Sequence, residues 1–122
     1  MRNPVYTPRI IMTAENTSGL TTDTGTSFTE PQRRQLGLTA ALIIRGLAGT
    51  APSITGRVEH SASPDSVADA SAVWSTLLTF GAQTAVGANY QVTTNPYFPR
   101  VRGVVIRGGT AVTDLDYDVV IC

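Results

Sequence analysis

The chain has 122 residues, equal numbers of acidic and basic side chains, a formal net charge of zero at pH 7, and one cysteine, Cys122. This length predicts a single domain that buries about two thirds of its unfolded surface and does not depend on disulfides for folding. Zero net charge argues against a nucleic-acid-binding protein, because such proteins usually carry a strongly basic face. A single cysteine excludes an intrachain disulfide and a metal cluster built on thiolates.

The first 35 residues contain an apolar segment, VYTPRIIM, followed by the polar tract AENTSGLTTDTGTSFTEPQ. Prolines interrupt this region, whereas a signal peptide needs an unbroken apolar core. The longest apolar run of the chain, residues 40 to 44, is far shorter than the ~20 residues of a membrane span. We therefore expect a protein that is made and kept in a cytoplasm and has no membrane contact.

The apolar segment has two interpretations. In the first, residues 1–35 form an extended arm, because Pro4 and Pro8 favour extended backbone that can add as a strand to the sheet edge of a neighbouring molecule. The arm residues expected to contact a partner are Val5, Tyr6, Arg9, Ile10, Ile11 and Met12. In the second, residues around 8–13 form an edge strand of the same domain. Removal of residues 1–14 distinguishes the two interpretations, since an arm is dispensable for folding and an edge strand is not.

Residues 36–122 form the predicted main domain. Their apolar and polar side chains alternate, which is the pattern of half-buried β-strands, and turn residues separate the alternating segments. Together with 11 Gly and 7 Pro, this pattern predicts an all-β fold, an antiparallel β-sandwich of jelly-roll-like type with seven or eight short strands. The strands are expected at 38–45, 54–60, 73–80, 89–94, 100–107 and 115–121, with two weaker candidates at 8–13 and 21–29.

One segment, SPDSVADASAVWSTLL, also places apolar residues at helical spacing. This spacing allows a turn or two of helix within 64–72. From residue 73 we expect a strand, because Trp, Thr and Phe suit a pleated surface. The side chains expected in the core are Ile54, Val58, Trp74, Leu78, Phe80, Leu115, Tyr117 and Val119.

Two segments of the chain resemble each other, LIIRGLAGTAPSITGRVEH and VVIRGGTAVTDLDYDVVI. Each has an apolar stretch, a Gly-Thr-Ala sequence and a second alternating stretch. Gly49 and Gly109 supply the conformational freedom that tight connections require. We interpret the two segments as similar β-hairpins of one sandwich, which is a building element and not a duplicated active site.

The sequence contains no recognisable catalytic constellation. His60 is the only histidine; it ends a strand and is expected to be a partly buried structural residue. Asp114, Asp116 and Asp118 share one strand face, but carboxylates in that pattern stand about 6 to 7 Å apart, too far to share a calcium ion. Neither a nucleophile elbow nor a phosphate-binding loop is present. We therefore expect a protein that is not an enzyme, with no catalytic, cofactor or metal site.

The segment NPYFPRVR places Tyr97 and Phe98 between two prolines, where regular strand cannot form. These aromatic side chains either close one end of the sandwich or contact a neighbouring subunit. Arg100 follows directly and is a residue type enriched at interfaces. A third interpretation makes Tyr97 and Phe98, or Trp74, the platform of a carbohydrate site.

Residues 36–122 resemble small structural proteins from the virions of tailed bacteriophages. The features that carry the resemblance are a Gly-Thr-x-Pro-Ser turn, a strand ending in His-Ser, a Trp and a Thr-Phe, and an aromatic-Pro-Arg strand leading to a second Gly-Thr turn. Residues 62–72 are longer than the usual loop, and Val112 replaces the proline of the second turn. The matching positions are Gly49, Thr50, Pro52, Ser53, His60, Ser61, Trp74, Thr79, Phe80, Arg100, Arg102, Gly109 and Thr110.

The resemblance implies a non-enzymatic β-sandwich on the virion, assembled in the host cytoplasm. Its expected function is that of a capsid decoration or cement protein, whose partners are the major capsid protein or other virion proteins and further copies of itself. A component of the tail, the connector or the fibre attachment is the alternative within this class. A carbohydrate-binding module on the virion is the alternative outside it.

Overall fold

Nine strands follow one another along the residues that the computed structural model describes, 8–29 and 37–121. All eight segments expected to be strands are strands, and the segment 21–29 is divided into two short ones. Val5 and Tyr6 lie outside the described residues. The strands are β1 (Arg9–Thr17), β2 (Thr22–Thr24), β3 (Phe28–Thr29), β4 (Leu38–Ala48), β5 (Pro52–Ser61), β6 (Ser75–Gln83), β7 (Gly87–Thr93), β8 (Arg100–Gly109) and β9 (Asp114–Ile121).

The strands form two antiparallel sheets that pack face to face. A four-stranded sheet has the order β1-β9-β4-β7, and a five-stranded sheet has the order β2-β8-β5-β6 with β3 also on β8. Because β2 and β3 both pair with β8 on the side away from β5, they act as one interrupted strand. The sandwich thus has the two packed sheets of a jelly roll, which confirms the predicted fold class.

The core lies between the inner faces of the two sheets. Side chains of β4 and β9 from one sheet interdigitate with side chains of β5, β6 and β8 from the other. Seven of the eight predicted core residues are buried, namely Ile54, Val58, Leu78, Phe80, Leu115, Tyr117 and Val119. Alternation of apolar residues therefore identified the inner faces of β5, β6 and β9 correctly.

The two similar segments are not hairpins, and this prediction is wrong. The strands β4 and β5 belong to different sheets, and so do β8 and β9. Each Gly-Thr-Ala connection carries the chain from one sheet to the other, a connection called a β-arch. In an arch the two strands face each other through their side chains across the core and share no ladder of backbone hydrogen bonds.

The two arches, around residues 49–51 and 109–113, lie side by side at one end of the sandwich. They are held there because β4 pairs with β9 in one sheet and β5 pairs with β8 in the other. Backbone hydrogen bonds join the arches directly: the N–H of Thr110 donates to the carbonyl of Ala51 (3.0 Å), and the N–H of Thr113 donates to the carbonyl of Ala48 (2.9 Å). The repeated sequence therefore builds two copies of one connection that contact each other.

Trp74 is only half-buried, so its predicted place in the core is wrong. It precedes β6 and lies on the outer face of the five-stranded sheet, where its Nε1 donates to the backbone carbonyl of Asp69 (3.0 Å). The preceding residues 64–72 form hydrogen-bonded turns and no helix. The alternation of buried side chains in β6 begins at Leu78 and does not extend back to Trp74. The ladder between β5 and β6 has a register shift at this point, between Leu78 and Thr76.

The segment Arg9–Thr17 is the edge strand β1 of the four-stranded sheet, which is the second interpretation of the N-terminal apolar residues. It pairs with β9 of the same chain, and Ile11 and Met12 pack against the core. The guanidinium of Arg9 lies 4.3 Å from the ring centroid of Phe28 in β3. Residues 8–29 therefore contribute three strands to the sandwich, and the arm hypothesis now concerns residues 1–7, which lie outside the described part of the chain.

Candidate interaction surface

His60 lies at the end of β5 and is held by its neighbours. Its Nδ1 accepts a hydrogen bond from the backbone N–H of Phe98 (3.0 Å), and the two rings lie 5.1 Å apart. Burial lowers the pKa of His60, because the charged imidazolium loses hydration. A neutral ring whose Nδ1 accepts a backbone hydrogen bond is a structural feature, as expected for this residue.

Two of the three aspartates of β9 make hydrogen bonds on the outer face of the four-stranded sheet. Asp118 accepts hydrogen bonds from Thr13 Oγ1 (2.6 Å) and Arg45 Nε (3.1 Å), and Asp116 accepts one from the N–H of Asn16 (2.6 Å). These bonds attach β9 to its neighbours β1 and β4. Within residues 8–29 and 37–121, no group of three or more His, Cys, Asp or Glu side chains could hold a metal ion.

The segment at residues 97–100 divides into buried and exposed side chains. Tyr97 is buried and closes the end of the core, so it cannot serve as a sugar platform. Phe98 is 49% exposed. Arg100 is buried within the chain, and its role at an interface stays a prediction. Of the three predicted contact residues in this segment, only Phe98 lies on the surface.

Arg100 fastens the loop between β5 and β6 to the sheet. Its guanidinium donates to the carbonyl of Pro64 (2.8 Å), to the carbonyl of Val67 (2.6 Å) and to the carboxylate of Asp69 (2.7 Å). Hydrogen bonds from the hydroxyl and the N–H of Ser27, followed by the bond from Arg100, lower the pKa of Asp69 to about 2. The ion pair therefore connects β8 both to the 62–74 loop and to the segment between β2 and β3.

This pKa predicts a loss of stability in acid. Because the pKa of Asp69 is lower in the folded state than its ordinary value of 3.8, its contribution is complete above pH 3.8 and is lost as the pH falls towards about 2. The variant Asp69→Asn should be less stable than the wild type at about pH 6 and nearly as stable at about pH 2. Urea unfolding at several pH values measures this, and a constant difference between the two proteins across that range would contradict it.

Charged side chains on the outer face of the five-stranded sheet pair with one another. The buried carboxylate of Glu59 accepts bonds from Arg57 Nε (2.9 Å) and Arg102 Nε (2.8 Å), and Arg102 lies 4.1 Å from the ring centroid of Trp74. Burial opposes ionisation of Glu59, but the two arginine hydrogen bonds outweigh it and the pKa of Glu59 is lowered. Arg102 covers Trp74, so this ring is a structural contact and a poor sugar platform.

The outer face of the four-stranded sheet is apolar at one end. A row of side chains crosses all four strands in register: Ile10 lies beside Val120, Val120 beside Ala41, and Ala41 beside Tyr90. Val92 lies next to this row on β7. We call these residues, together with Ile43, the apolar face. Its most exposed members are Ile10 (58%), Tyr90 (64%) and Val92 (66%).

Strand β7 presents its apolar side chains to the outside and its polar ones to the inside. The alternation in GANYQVT would ordinarily bury Tyr90 and Val92. Instead Asn89 and Gln91 point inwards, where Asn89 Nδ2 donates to the carbonyl of Gly81 (3.1 Å) and Gln91 Nε2 donates to Asn89 Oδ1 (2.9 Å). Because the side-chain amides of Asn89 and Gln91 form hydrogen bonds on the inner side, these bonds favour the orientation that leaves Tyr90 and Val92 outside. Exposed apolar side chains arranged in this way mark an interaction surface.

A second, smaller apolar surface lies at the start of β6. Phe98 and Val73, which is 76% exposed, line a shallow depression of about 360 Å³ together with His60 and several small residues. The apolar face spans a whole sheet, whereas this depression depends on two exposed side chains. The apolar face is therefore the stronger candidate for binding a large partner.

No helix in the described part of the chain is long and apolar enough to cross a membrane. No protein-family model, curated protein or solved structure matches the chain. The fold and the apolar face are therefore the features that bear on function.

Proposed function

We propose that the protein is a non-enzymatic structural component of a virion, and specifically a capsid decoration protein that binds the head lattice of a tailed phage. The observation that carries the proposal is the apolar face, in which β7 exposes Tyr90 and Val92 and directs the partly buried Asn89 and Gln91 inwards. The resemblance of residues 36–122 to small virion proteins supplies the class of partner.

The physical properties of the apolar face suit attachment to a protein lattice. Four strands at a spacing of about 4.8 Å place Ile10 and Tyr90 roughly 14 Å apart. Val120 (8%) and Ala41 (1%) between them are buried, so the exposed apolar area lies on Ile10, Tyr90 and Val92. Tyr is enriched at protein interfaces and charged residues are depleted at their centres. Three charged side chains of this sheet, Arg45, Asp118 and Glu15, lie together, with Arg45 paired to both carboxylates. This arrangement resembles an interface with an apolar centre and a polar border.

Binding by each copy need not be strong. A particle presents the same site many times, and attachment of an oligomer through several subunits raises the overall affinity far above that of one contact. Zero net charge keeps the protein from binding the nucleic acid that surrounds it during assembly. Partners of this kind are the major capsid protein or another virion protein in a repeating array.

The proposal is tested by binding purified protein to particles that lack it. We expect Ile10→Lys to reduce occupancy about tenfold or more, because a charge replaces an apolar side chain that is buried on binding. The matched control is Leu20→Lys, which places the same charge at an exposed leucine outside both apolar surfaces and should bind normally. If both variants bind particles as well as the wild type does, the apolar face is not the surface that binds the particle.

The position of the protein in an image reconstruction of the particle tests the class of function. Hundreds of copies over the shell agree with a decoration protein. A few dozen copies or fewer at the tail or the connector would instead support the alternative, a component of the tail, the connector or the fibre attachment. Absence from purified particles would overturn a virion role altogether.

A further inference from the structure

Among the described residues the sandwich has four sheet edges, which are formed by β1 and β7 in one sheet and by β2 with β3 and by β6 in the other. An exposed edge carries unpaired backbone N–H and C=O groups that pair readily with another chain. Proteins that remain monomeric interrupt such edges with bulges, charges, prolines or very short strands. The four edges of this protein differ in these respects.

Three of the edges are interrupted. The ladder between β1 and β9 has two register shifts, and β1 carries Arg9 and Glu15. The edge beside β8 consists of two strands of only three and two residues, β2 and β3. The ladder between β5 and β6 also has two register shifts. Each of these irregularities disfavours regular pairing with a further strand.

The edge of β7 has none of these features. Its seven residues, GANYQVT, contain no charge and no proline. They pair with β4 without a register shift, from Gly87 opposite Ile44 to Thr93 opposite Leu38. The start of β7 is covered by β6, because Asn89 Nδ2 donates to the carbonyl of Gly81 and Gln83 Nε2 donates to that of Gly87.

The second half of β7 is a regular edge with exposed apolar side chains. In residues 8–29 and 37–121, no strand pairs with Tyr90–Thr93 on the side away from β4. In an antiparallel ladder every second residue directs its N–H and C=O away from the neighbouring strand, so this edge offers free donors and acceptors. Tyr90 and Val92 project from the same stretch towards solvent.

We propose that this edge binds the same edge of a second copy of the chain, with the two β7 strands antiparallel about a two-fold axis at Gln91. A two-fold axis makes an antiparallel strand pair self-complementary. In this register Tyr90 of each copy lies opposite Val92 of the other, an aromatic and a β-branched residue that pair favourably across strands. Gln91 lies opposite Gln91, and no like charges meet.

The dimer joins the two four-stranded sheets into one continuous sheet. The apolar faces of both copies then lie on the same side, which doubles the surface available to a partner. The inference rests on the edge of β7 alone and holds whether or not the protein decorates a particle.

Introducing charges at the edge of β7 provides the test. The double variant Tyr90→Lys/Val92→Lys places like charges opposite each other across the two-fold axis, and so does Tyr90→Asp/Val92→Asp. We expect each to weaken self-association at least tenfold and to sediment as the 12.9 kDa chain, whereas the wild type sediments at twice that mass. An equimolar mixture of the two variants should recover the dimer, because lysines then face aspartates.

Recovery on mixing separates loss of pairing from loss of folding, and circular dichroism of each variant provides an independent check of the fold. The matched control is Ile10→Lys, which changes the same sheet face at the opposite edge and should remain dimeric. A wild type that sediments as a monomer would overturn the proposal. So would double variants that still form dimers, or variants that stay folded but fail to associate when mixed.

Discussion

Replacing Gly49 with alanine is expected to lower the free energy of unfolding by about 3 kcal/mol or more. A Cβ at this position would lie 2.1 Å from the backbone oxygen of Ala111, and the φ angle of Gly49 is +152°. Gly109 has the reciprocal environment, since its Cβ would lie 2.1 Å from the backbone oxygen of Ala51 at a φ of +91°. Either substitution pushes the two arches apart, so Gly109→Ala should be similarly destabilising.

The matched control is Gly81→Ala in β6. A Cβ on Gly81 meets no atom within 4 Å, and Gly81 has no positive φ. Its substitution should change stability by less than about 0.5 kcal/mol. Chemical denaturation of the three variants measures the difference. If Gly49→Ala and Gly81→Ala are equally stable, the arches are not in contact as described.

Deleting residues 1–14 is expected to remove cooperative unfolding of the domain. The deletion takes away most of β1, which pairs with β9, and it exposes the part of the core that Ile11 and Met12 cover. The lost burial and strand pairing amount to about 5 kcal/mol, which is comparable to the whole stability of a domain of this size. Thermal unfolding followed by circular dichroism should show a broad or absent transition.

A shorter deletion, of residues 1–7, serves as the control because it leaves Arg9–Thr17 in place. This variant should unfold cooperatively near the wild-type temperature. Any change that it causes in oligomer formation or particle binding then reports on an arm formed by residues 1–7. If deletion of residues 1–14 leaves a cooperatively folded domain, β1 is dispensable and the arm interpretation is restored for the longer segment.

Strand positions could be predicted from the sequence, but sheet membership could not. Apolar side chains at every second position indicate which side of a strand is buried, and this pattern correctly predicts burial of Ile54, Val58 and Tyr117. It does not report which strand lies beside which. A Gly-Thr-Ala connection fits a hairpin and an arch equally well, because both bring two strands together with their apolar sides towards the core. The sequence pattern therefore does not distinguish an arch from a hairpin.

The candidate interface was harder to predict because it depends on contacts between distant parts of the chain. Arg100 resembles an interface residue in the sequence, but the carbonyls and the carboxylate that bury it come from residues 64–69. Tyr90 and Val92 follow an ordinary alternation, and the ladder with β4 together with the bonds made by Asn89 and Gln91 fixes which side faces out. Ile10 was predicted to contact a partner, and its exposure is compatible with that role.

The position of β9 determines when the protein can fold during its synthesis. This last strand of the described chain lies between β1 and β4, so the four-stranded sheet lacks a central member until Asp114–Ile121 has left the ribosome. Until then β1 and β4 have no shared neighbour, and the uncharged strand β7 is exposed in an incomplete sandwich. Such delayed, non-local pairing slows folding and exposes nascent chains to aggregation. Ribosomes that stall before residue 114 should therefore carry unfolded, protease-sensitive chains.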